Sequence, residues 1–395
     1  MNSTTRFGID FAYPSDEIFL DSATYGKMPV SSIEKMTDTY TKGLVVTKAM
    51  YQESSKANAK LESCRRALSS IFHTESSQIS FLPSKESAII NILHSFNWAD
   101  KGKIITSVLE DHSLLAPLIN INNLHGNEID YLSLKDEENL LDILSEKLTS
   151  KTDVVLLSSL TPTIGTNREW GKISKICKEN DAIFILDISN SVGHENILLE
   201  NDSPDIAVAT GISGALGPQG IAFQILSKEI NEQVNPILVG GTSVLALEET
   251  MYQLNSNAQK YEAGIINLAG IIGLTNSLDI LSDFGFNKIE KHEKGLHTIV
   301  REKLRDLPNV DLYELEQTDF KSITTFGSRE VNAHDIALAM EDLKGIRVLS
   351  GALCAHLFIY DLPYNSVIRL STHLYNTEEE VKVFLETFEE LINQH

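Results

Sequence analysis

The stretch AIFILDISNSVGH, residues 182–194, decides the fold class of this chain. It begins with an uninterrupted apolar run, Ala182 to Leu186, which ends on Asp187. A short apolar run bounded by polar turn residues predicts a strand buried on both faces, which is typical of parallel sheets. We therefore expect a strand over residues 182–187, with the Asp187 carboxyl group at its carboxyl-terminal end.

Similar apolar runs alternate with helix-like segments on both sides of this stretch, from about residue 55 to about residue 230. The further predicted strands cover 78–82, 103–108, 128–132, 153–157, 206–209 and 221–226. The predicted helices cover 55–71, 85–96, 113–125, 137–148 and 169–180. Strands that alternate with helices predict an α/β fold, in which helices cover both faces of a mostly parallel sheet.

The pattern changes after about residue 265. Long helical segments at 267–281 and 287–304 precede short predicted strands at 310–315 and 323–326, and further helices follow at 333–343 and 378–392. This mixture predicts a smaller α+β domain. We expect a large domain over residues 15–260, and a small domain that combines residues 261–395 with an N-terminal strap of residues 1–14.

Composition excludes several classes of partner. The 395 residues are 42% hydrophobic and 22% charged, and 55 acidic against 33 basic side chains give a net charge of −22. An acidic surface repels nucleic acid and anionic lipid, so we expect neither partner. Three cysteines without a C-x-x-C motif indicate a reducing compartment. No signal peptide and no apolar run of about 20 residues is visible, so we expect a cytoplasmic protein.

Six segments, in the same order along the chain, resemble the class V aminotransferases, a family that includes the cysteine desulfurases. These segments are FLDSAT at 19–24, TSVLEDHS at 106–113, DISNSVGH at 187–194, EAG at 262–264, SGALCA at 350–355 and RLSTHLYNTEE at 369–379. The resemblance covers nearly the whole chain. It implies the fold of the fold-type-I enzymes that use pyridoxal phosphate (PLP), and a homodimer whose interface completes the cleft.

Several site residues of that family have counterparts here. The resemblance implies that Asp187 would pair with the cofactor's pyridine nitrogen, and that Arg369 would hold a substrate carboxylate. Cys354 matches the loop cysteine that accepts sulfur in desulfurases, and Thr210 fits a phosphate ligand. Each also has an ordinary structural interpretation, such as a turn cap, a structural arginine or a small buried thiol.

Other positions depart from the family pattern. The loop ATGISGALGPQG at 209–220 contains no lysine, and Ser213 stands where the Schiff-base lysine is expected. A hydroxyl cannot form an imine, so we expect no covalently bound PLP. The other departures, given by the residue present in this chain, are Lys85, Asp111, Pro162, Asn190, Ile212 and Ile265. Lys85, at a predicted helix N-terminus, offers charge to an anion, which keeps non-covalent PLP or pyridoxamine phosphate open.

Four hypotheses stay open at this point. The chain is a non-catalytic homodimer or binding protein on the family scaffold, or an enzyme with altered chemistry. The altered enzyme would use Asp111, His112, Lys85 or Cys354 on a small carboxylate-bearing or phosphorylated ligand held by Arg369. The third hypothesis is an enzyme that takes PLP as a diffusible ligand, and the fourth is a working cysteine desulfurase. Fold alone does not decide between a catalyst and a non-catalyst.

Overall fold

The computed structural model describes residues 3–13, 17–44, 46–98, 102–149, 152–200, 203–315 and 319–393. In chain order the strands are β1 (Ser3–Arg6), β2 (Ile9–Ala12), β3 (Ile18–Phe19), β4 (Ile79–Leu82), β5 (Lys103–Ser107), β6 (Glu128–Leu132), β7 (Thr152–Ser158), β8 (Ile183–Asp187), β9 (Ile206–Thr210), β10 (Ala222–Leu226), β11 (Val244–Leu247), β12 (Tyr252–Leu254), β13 (Val310–Tyr313), β14 (Ile323–Ser328), β15 (Ile346–Arg347), β16 (Leu349–Gly351) and β17 (Val367–Ser371). The α-helices are α1 (Val30–Thr41), α2 (Gln52–Ile71), α3 (Lys85–Leu93), α4 (His112–His125), α5 (Leu140–Lys147), α6 (Trp170–Glu179), α7 (Lys228–Gln233), α8 (Leu268–Phe284), α9 (Phe286–Asp306), α10 (Ala333–Lys344), α11 (His356–Tyr360) and α12 (Glu378–Ile392).

A seven-stranded sheet forms the larger part of the molecule, in the order β4-β10-β9-β8-β7-β5-β6. The strands from β9 through β6 pair in parallel, and β10 runs antiparallel to both of its neighbours. Phe184, Ile185 and Leu186 of β8 are fully buried, so both faces of this strand are covered. The mostly parallel α/β sheet predicted from the apolar run at 182–187 is therefore confirmed.

A smaller antiparallel sheet, in the order β13-β14-β17-β16, forms the carboxyl-terminal part. Helices α9, α10 and α12 pack around it, because their apolar faces and the strands share one core that includes Phe326, Phe384 and Phe388. The mixed α and β character predicted for this part is what the structure has. Strand β17 is important for the site, since it contains Arg369.

Two segments connect the parts of the molecule. Strand β3 pairs in parallel with β15, so residues 18–19 pack with the carboxyl-terminal part. Helix α8 packs against α1 and α2 and belongs to the core of the larger part. The exact domain limits at 14/15 and 260/261 stay predictions, and residues 1, 2 and 14–16 of that scheme lie outside the described residues. Within the described ranges, no helix combines the length and apolarity needed to cross a membrane.

Candidate functional site

A cavity of about 240 Å³ lies where the strands of the large sheet end. Crevices at the carboxyl ends of parallel strands are the usual ligand sites of such sheets. Nine residues singled out in the sequence line this cavity, namely Lys85, Asp111, Pro162, Asn190, Thr210, Ile212, Ser213, Cys354 and Arg369. Asp187 does not line the cavity itself but makes a hydrogen bond with Lys85, which does. His112 is not among the lining residues. The structure thus brings residues that are far apart in the chain, such as Lys85 and Arg369, into one site.

Two helices begin at this cavity because their caps follow strand ends. Ser84 caps α3 and accepts a hydrogen bond from the Ser87 backbone N–H at 3.2 Å. Asp111 caps α4 and accepts from the Ser113 backbone N–H at 2.9 Å. Short oxygen-bearing side chains stabilise helix N-termini in this way. Both helix N-termini therefore lie at the rim of the cavity, and one already has a carboxylate.

Lys85 makes an ion pair with Asp187 in the floor of the site. The Lys85 Nζ lies 2.6 Å from Asp187 Oδ2, and both side chains are buried. Asp187 Oδ1 accepts from the backbone N–H and the hydroxyl of Ser189, so both carboxylate oxygens have partners. Burial alone would lower the pKa of Lys85, but the carboxylates of Asp111 and Asp187 outweigh burial and raise it. Lys85 is therefore a permanent cation held on Asp187.

Asp111 is the second carboxylate that faces this ammonium group. Burial would raise the pKa of Asp111, yet the charge of Lys85 and the hydrogen bonds from Ser113 lower it below its ordinary value. The carboxylate is thus ionised at neutral pH. Asp111 is one of the departures from the family pattern, and in the structure it is a charged cap that fixes the start of α4.

Arg369 is held by groups of the protein itself. Its Nη1 donates to the Pro162 carbonyl oxygen at 2.9 Å, and its Nη2 donates to Thr24 Oγ1 at 2.8 Å and to Asp21 Oδ1 at 3.3 Å. Burial raises the pKa of Asp21 even though Arg369 opposes the shift. The contact to Asp21 is the longest of the three and the only one to a carboxylate, so it is the one that an incoming carboxylate can replace like for like.

Ser213 lies in the loop that closes the cavity from below. Its hydroxyl donates to the Ser189 carbonyl oxygen at 3.1 Å, and the side chain is buried. The next residue is glycine for a steric reason, since a Cβ atom on Gly214 would lie 2.2 Å from the Val192 carbonyl oxygen. The loop therefore fits closely against residues 187–194, and it presents a hydroxyl group to the cavity.

A buried polar cluster supports this loop from behind. His373 Nε2 lies 2.9 Å from the Gly214 carbonyl oxygen, and its Nδ1 accepts from the Leu374 backbone N–H at 2.7 Å. Glu293 lies 2.9 Å from His194 Nδ1 and 3.5 Å from His373 Nδ1. These three side chains have the types that bind metals. Both ring nitrogens of His373 are already committed, so we assign the cluster to positioning of the loop.

Cys354 lies at the mouth of the cavity on an unusual loop. It is exposed, and both Leu353 and Cys354 have left-handed backbone conformations, with φ of 52° and 54°. Left-handed conformations of non-glycine residues are uncommon and concentrate at functional sites. The His112 backbone N–H donates to the Cys354 carbonyl oxygen at 2.8 Å, and the His112 ring stacks on His356. His356 was not singled out from the sequence, because the contact joins residues 244 positions apart.

The chain also matches a known protein family over most of its length. The model of the family described as "Aminotransferase class-V" matches residues 18–384. The chain therefore belongs to the class V aminotransferase family. The resemblance recognised from the six sequence segments is confirmed.

Individual relatives are more specific about the branch of the family. The chain is 28% identical to a "Probable cysteine desulfurase" of Pyrococcus abyssi over 97% of this chain and 96% of that protein. It is 26% identical to the apo structure of a cysteine desulfurase from Thermococcus onnurineus NA1, with a TM-score of 0.90 and complete coverage of both chains. The Escherichia coli cysteine desulfurase CsdA, at 20% identity and a TM-score of 0.87, supports the fold. The chain is thus cysteine desulfurase-like.

Proposed function

We propose that this cysteine desulfurase-like chain uses its cleft without covalently bound PLP. One observation carries the proposal: the lysine among the cavity-lining residues, Lys85, commits its ammonium group to Asp187. An amine must lose its proton before it adds to an aldehyde, and this ion pair holds the proton in place. Ser213, at the position where the family resemblance expects the Schiff-base lysine, has a hydroxyl group instead.

The charges around the cavity do not fit a phosphorylated pyridine. Two basic side chains, Lys85 and Arg369, face four carboxyl groups, those of Asp21, Glu86, Asp111 and Asp187. Each basic group already pairs with one of these acids. A dianionic phosphate would therefore meet excess negative charge, and transfer of an unpaired anion into a partly buried site is costly. Ile212 also lines the cavity, and its side chain has no hydrogen-bond donor for a phosphate.

The ligand that we propose is a small carboxylate-bearing molecule at Arg369. The guanidinium group is fixed by Pro162 and Thr24, and a ligand carboxylate would replace the longer contact to Asp21. A cavity of about 240 Å³ suits a molecule of a few heavy atoms. The altered-enzyme and binding-protein hypotheses share this step, and Cys354 at the mouth is the nucleophile that the first of them would use.

A conventional cysteine desulfurase is the second candidate function. The similarity of the chain to cysteine desulfurases favours it, and so does the exposed Cys354 beside the cavity. This candidate requires a lysine to bind PLP covalently, which is the point that separates it from our proposal.

The deciding experiment is an absorbance titration of the purified protein with PLP, followed by borohydride reduction and intact mass. We expect no aldimine band and no reducible adduct. A visible band with a stable mass adduct on one lysine in the cleft would overturn the proposal and support the desulfurase. Peptide mapping would then identify that lysine, and Cys354→Ser would be the next variant.

We further propose that the chain acts as a homodimer in the cytoplasm. Exposed apolar side chains cluster on the β11–β12 hairpin and the loop beside it, at Leu245, Leu247, Met251, Tyr252 and Ile265. An exposed apolar patch of this kind is typical of a protein interface. The cysteines are free thiols, which suits a reducing compartment.

Sedimentation equilibrium tests the dimer. We expect a mass of about twice 43.8 kDa, and Leu247→Glu should shift it towards the monomer because it places a charge in the apolar patch. The matched control is Leu338→Glu, an equally apolar exposed residue on α10. A monomer in the unmodified protein, or equal effects of both variants, would contradict the dimer face.

A further inference from the structure

The Lys85–Asp187 ion pair is the feature of the cleft that its surroundings leave unexplained. Asp187 is 2% exposed, and the ammonium group of Lys85 is its only cationic partner among the described residues. Ser189 satisfies the other carboxylate oxygen. A buried carboxylate without a cation is disfavoured, so this position favours a cation, whether from the protein or from a ligand.

The path of the Lys85 side chain shows how much of the cavity floor this residue occupies. Lys85 is the first residue of α3, and its side chain extends from the end of β4 to the end of β8, a contact between residues 102 positions apart. Along this path it fills the floor of the cavity that Thr210 and Ser213 also line. A ligand with its own ring cation would need both the volume of this side chain and the oxygen that the ammonium group occupies.

We infer that Lys85 is the residue that determines ligand specificity in the cleft, because its ammonium group is a built-in cation for Asp187 and excludes pyridinium ligands. The inference rests on the proposed function and makes it more specific. The site accepts small ligands that bring no cation to its floor and whose anionic end reaches Arg369. Pyridoxamine phosphate and related ring cations are kept out.

Pyridoxamine phosphate is the probe for this inference, because it cannot form an imine with any lysine. Its affinity is measured by isothermal titration calorimetry for the unmodified protein, Lys85→Thr and the control Lys175→Thr, an exposed position on α6. We expect at least tenfold tighter binding by Lys85→Thr, since the substitution frees the Asp187 oxygen and the floor of the cavity. The ring cation of the probe then replaces the lost ammonium charge, so the charge balance around its phosphate is no worse than in the unmodified protein. The control should match the unmodified protein.

A second substitution locates the effect on Asp187. Adding Asp187→Asn to Lys85→Thr should abolish the gained affinity, because an amide does not hold a pyridinium ion as a carboxylate does. Lys85→Ala repeats the experiment should Lys85→Thr fail to fold, as judged by circular dichroism. The inference is overturned if the unmodified protein binds the probe as tightly as the folded variant. It is equally overturned if the double variant keeps the gain.

The two proposals fail in distinguishable ways. A reducible PLP adduct on a lysine other than Lys85 would end the proposed function, while the comparison with pyridoxamine phosphate would still test Lys85. An adduct on Lys85 itself would overturn both. Equal pyridoxamine phosphate binding without any adduct would overturn only the specificity role of Lys85.

Discussion

Neighbouring residues of the chain, Glu110 and Asp111, belong to two clusters of the same charge composition, the first buried and the second largely buried. The arginine cluster is Arg168 with Glu110 and Glu137, and the lysine cluster is Lys85 with Asp111 and Asp187. Each has one cation between two carboxylates. The two clusters differ in the number of fixed donors and in access to a cavity.

The arginine cluster is closed. Arg168 donates to Glu137 from Nε at 3.0 Å and from Nη2 at 2.5 Å, and to Glu110 and the Ser158 carbonyl oxygen from Nη1 at 2.5 and 2.9 Å. Lys85 makes one hydrogen bond to a described side chain and lines an open cavity. A planar guanidinium group with several fixed acceptors stabilises a fold. An ammonium group on a flexible side chain makes fewer fixed contacts and can therefore take part in ligand selection.

The largest effect expected from this comparison is that of Arg168→Met. The variant leaves two buried carboxylates without a cation, so we expect a loss of about 3–5 kcal/mol in the free energy of unfolding. Urea denaturation measures it, with Lys172→Met as the control, because Lys172 is an exposed residue paired only locally with Glu169. A loss below about 1 kcal/mol would mean that the arginine cluster does not stabilise the fold.

A smaller loss is expected for Lys85→Met, about 2–3 kcal/mol in the same assay. Asp187 keeps its two hydrogen bonds from Ser189, and water in the cavity can approach the freed oxygen. If Lys85→Met cost as much as Arg168→Met, the lysine cluster would be structural in the same sense as the arginine cluster. The contrast between the two would then fail.

The sequence predicted which residues meet in the cleft, but not how they pair. Asp187, Thr210 and Lys85 lie at the ends of strands or at the start of the next helix, and parallel strand ends meet at one edge of the sheet. Their proximity therefore followed from the alternation of strands and helices together with the family resemblance.

The partner of Lys85 did not follow from that pattern. A lysine at a helix N-terminus suggested charge for a ligand anion, whereas the structure places its ammonium group on Asp187. The direction of a long side chain depends on which buried group needs a counter-charge, and local patterns do not contain that information. The use of the Pro162 carbonyl oxygen by Arg369 was missed for a related reason, since main-chain acceptors leave no signal in residue types.

A third buried cluster has the inverse composition, with one carboxyl group between two histidine rings. Glu293 lies between His194 and His373, and none of the three is a permanent cation. Burial raises the pKa of Glu293 to about 8, although His373, His292 and Lys321 oppose the shift and Glu290 adds to it. Burial also lowers the pKa of His194 to about 4 and that of His373 to about 3. A buried cluster without a fixed cation thus favours its neutral forms, whereas each of the other two clusters contains a basic side chain whose pKa is raised.

This neutral state predicts the smallest of the three effects, a change in the pH dependence of stability. The folded pKa of Glu293 lies above its ordinary value of 4.5, so the folded protein binds the extra proton, and stability falls as pH rises from about 4.5 to about 8. The lowered histidine pKa values act in the opposite direction and reduce stability as pH falls below about 6.5.

Glu293→Gln removes the carboxyl titration and leaves both histidines. Between pH 6.5 and 8 we expect the unmodified protein to lose about 1–2 kcal/mol relative to this variant, measured by urea denaturation at each pH. Glu302→Gln, exposed on the same helix, is the control. Parallel pH profiles for the unmodified protein and Glu293→Gln would mean that Glu293 is ionised in the folded state, and the cluster would then resemble the charged pair in the cleft.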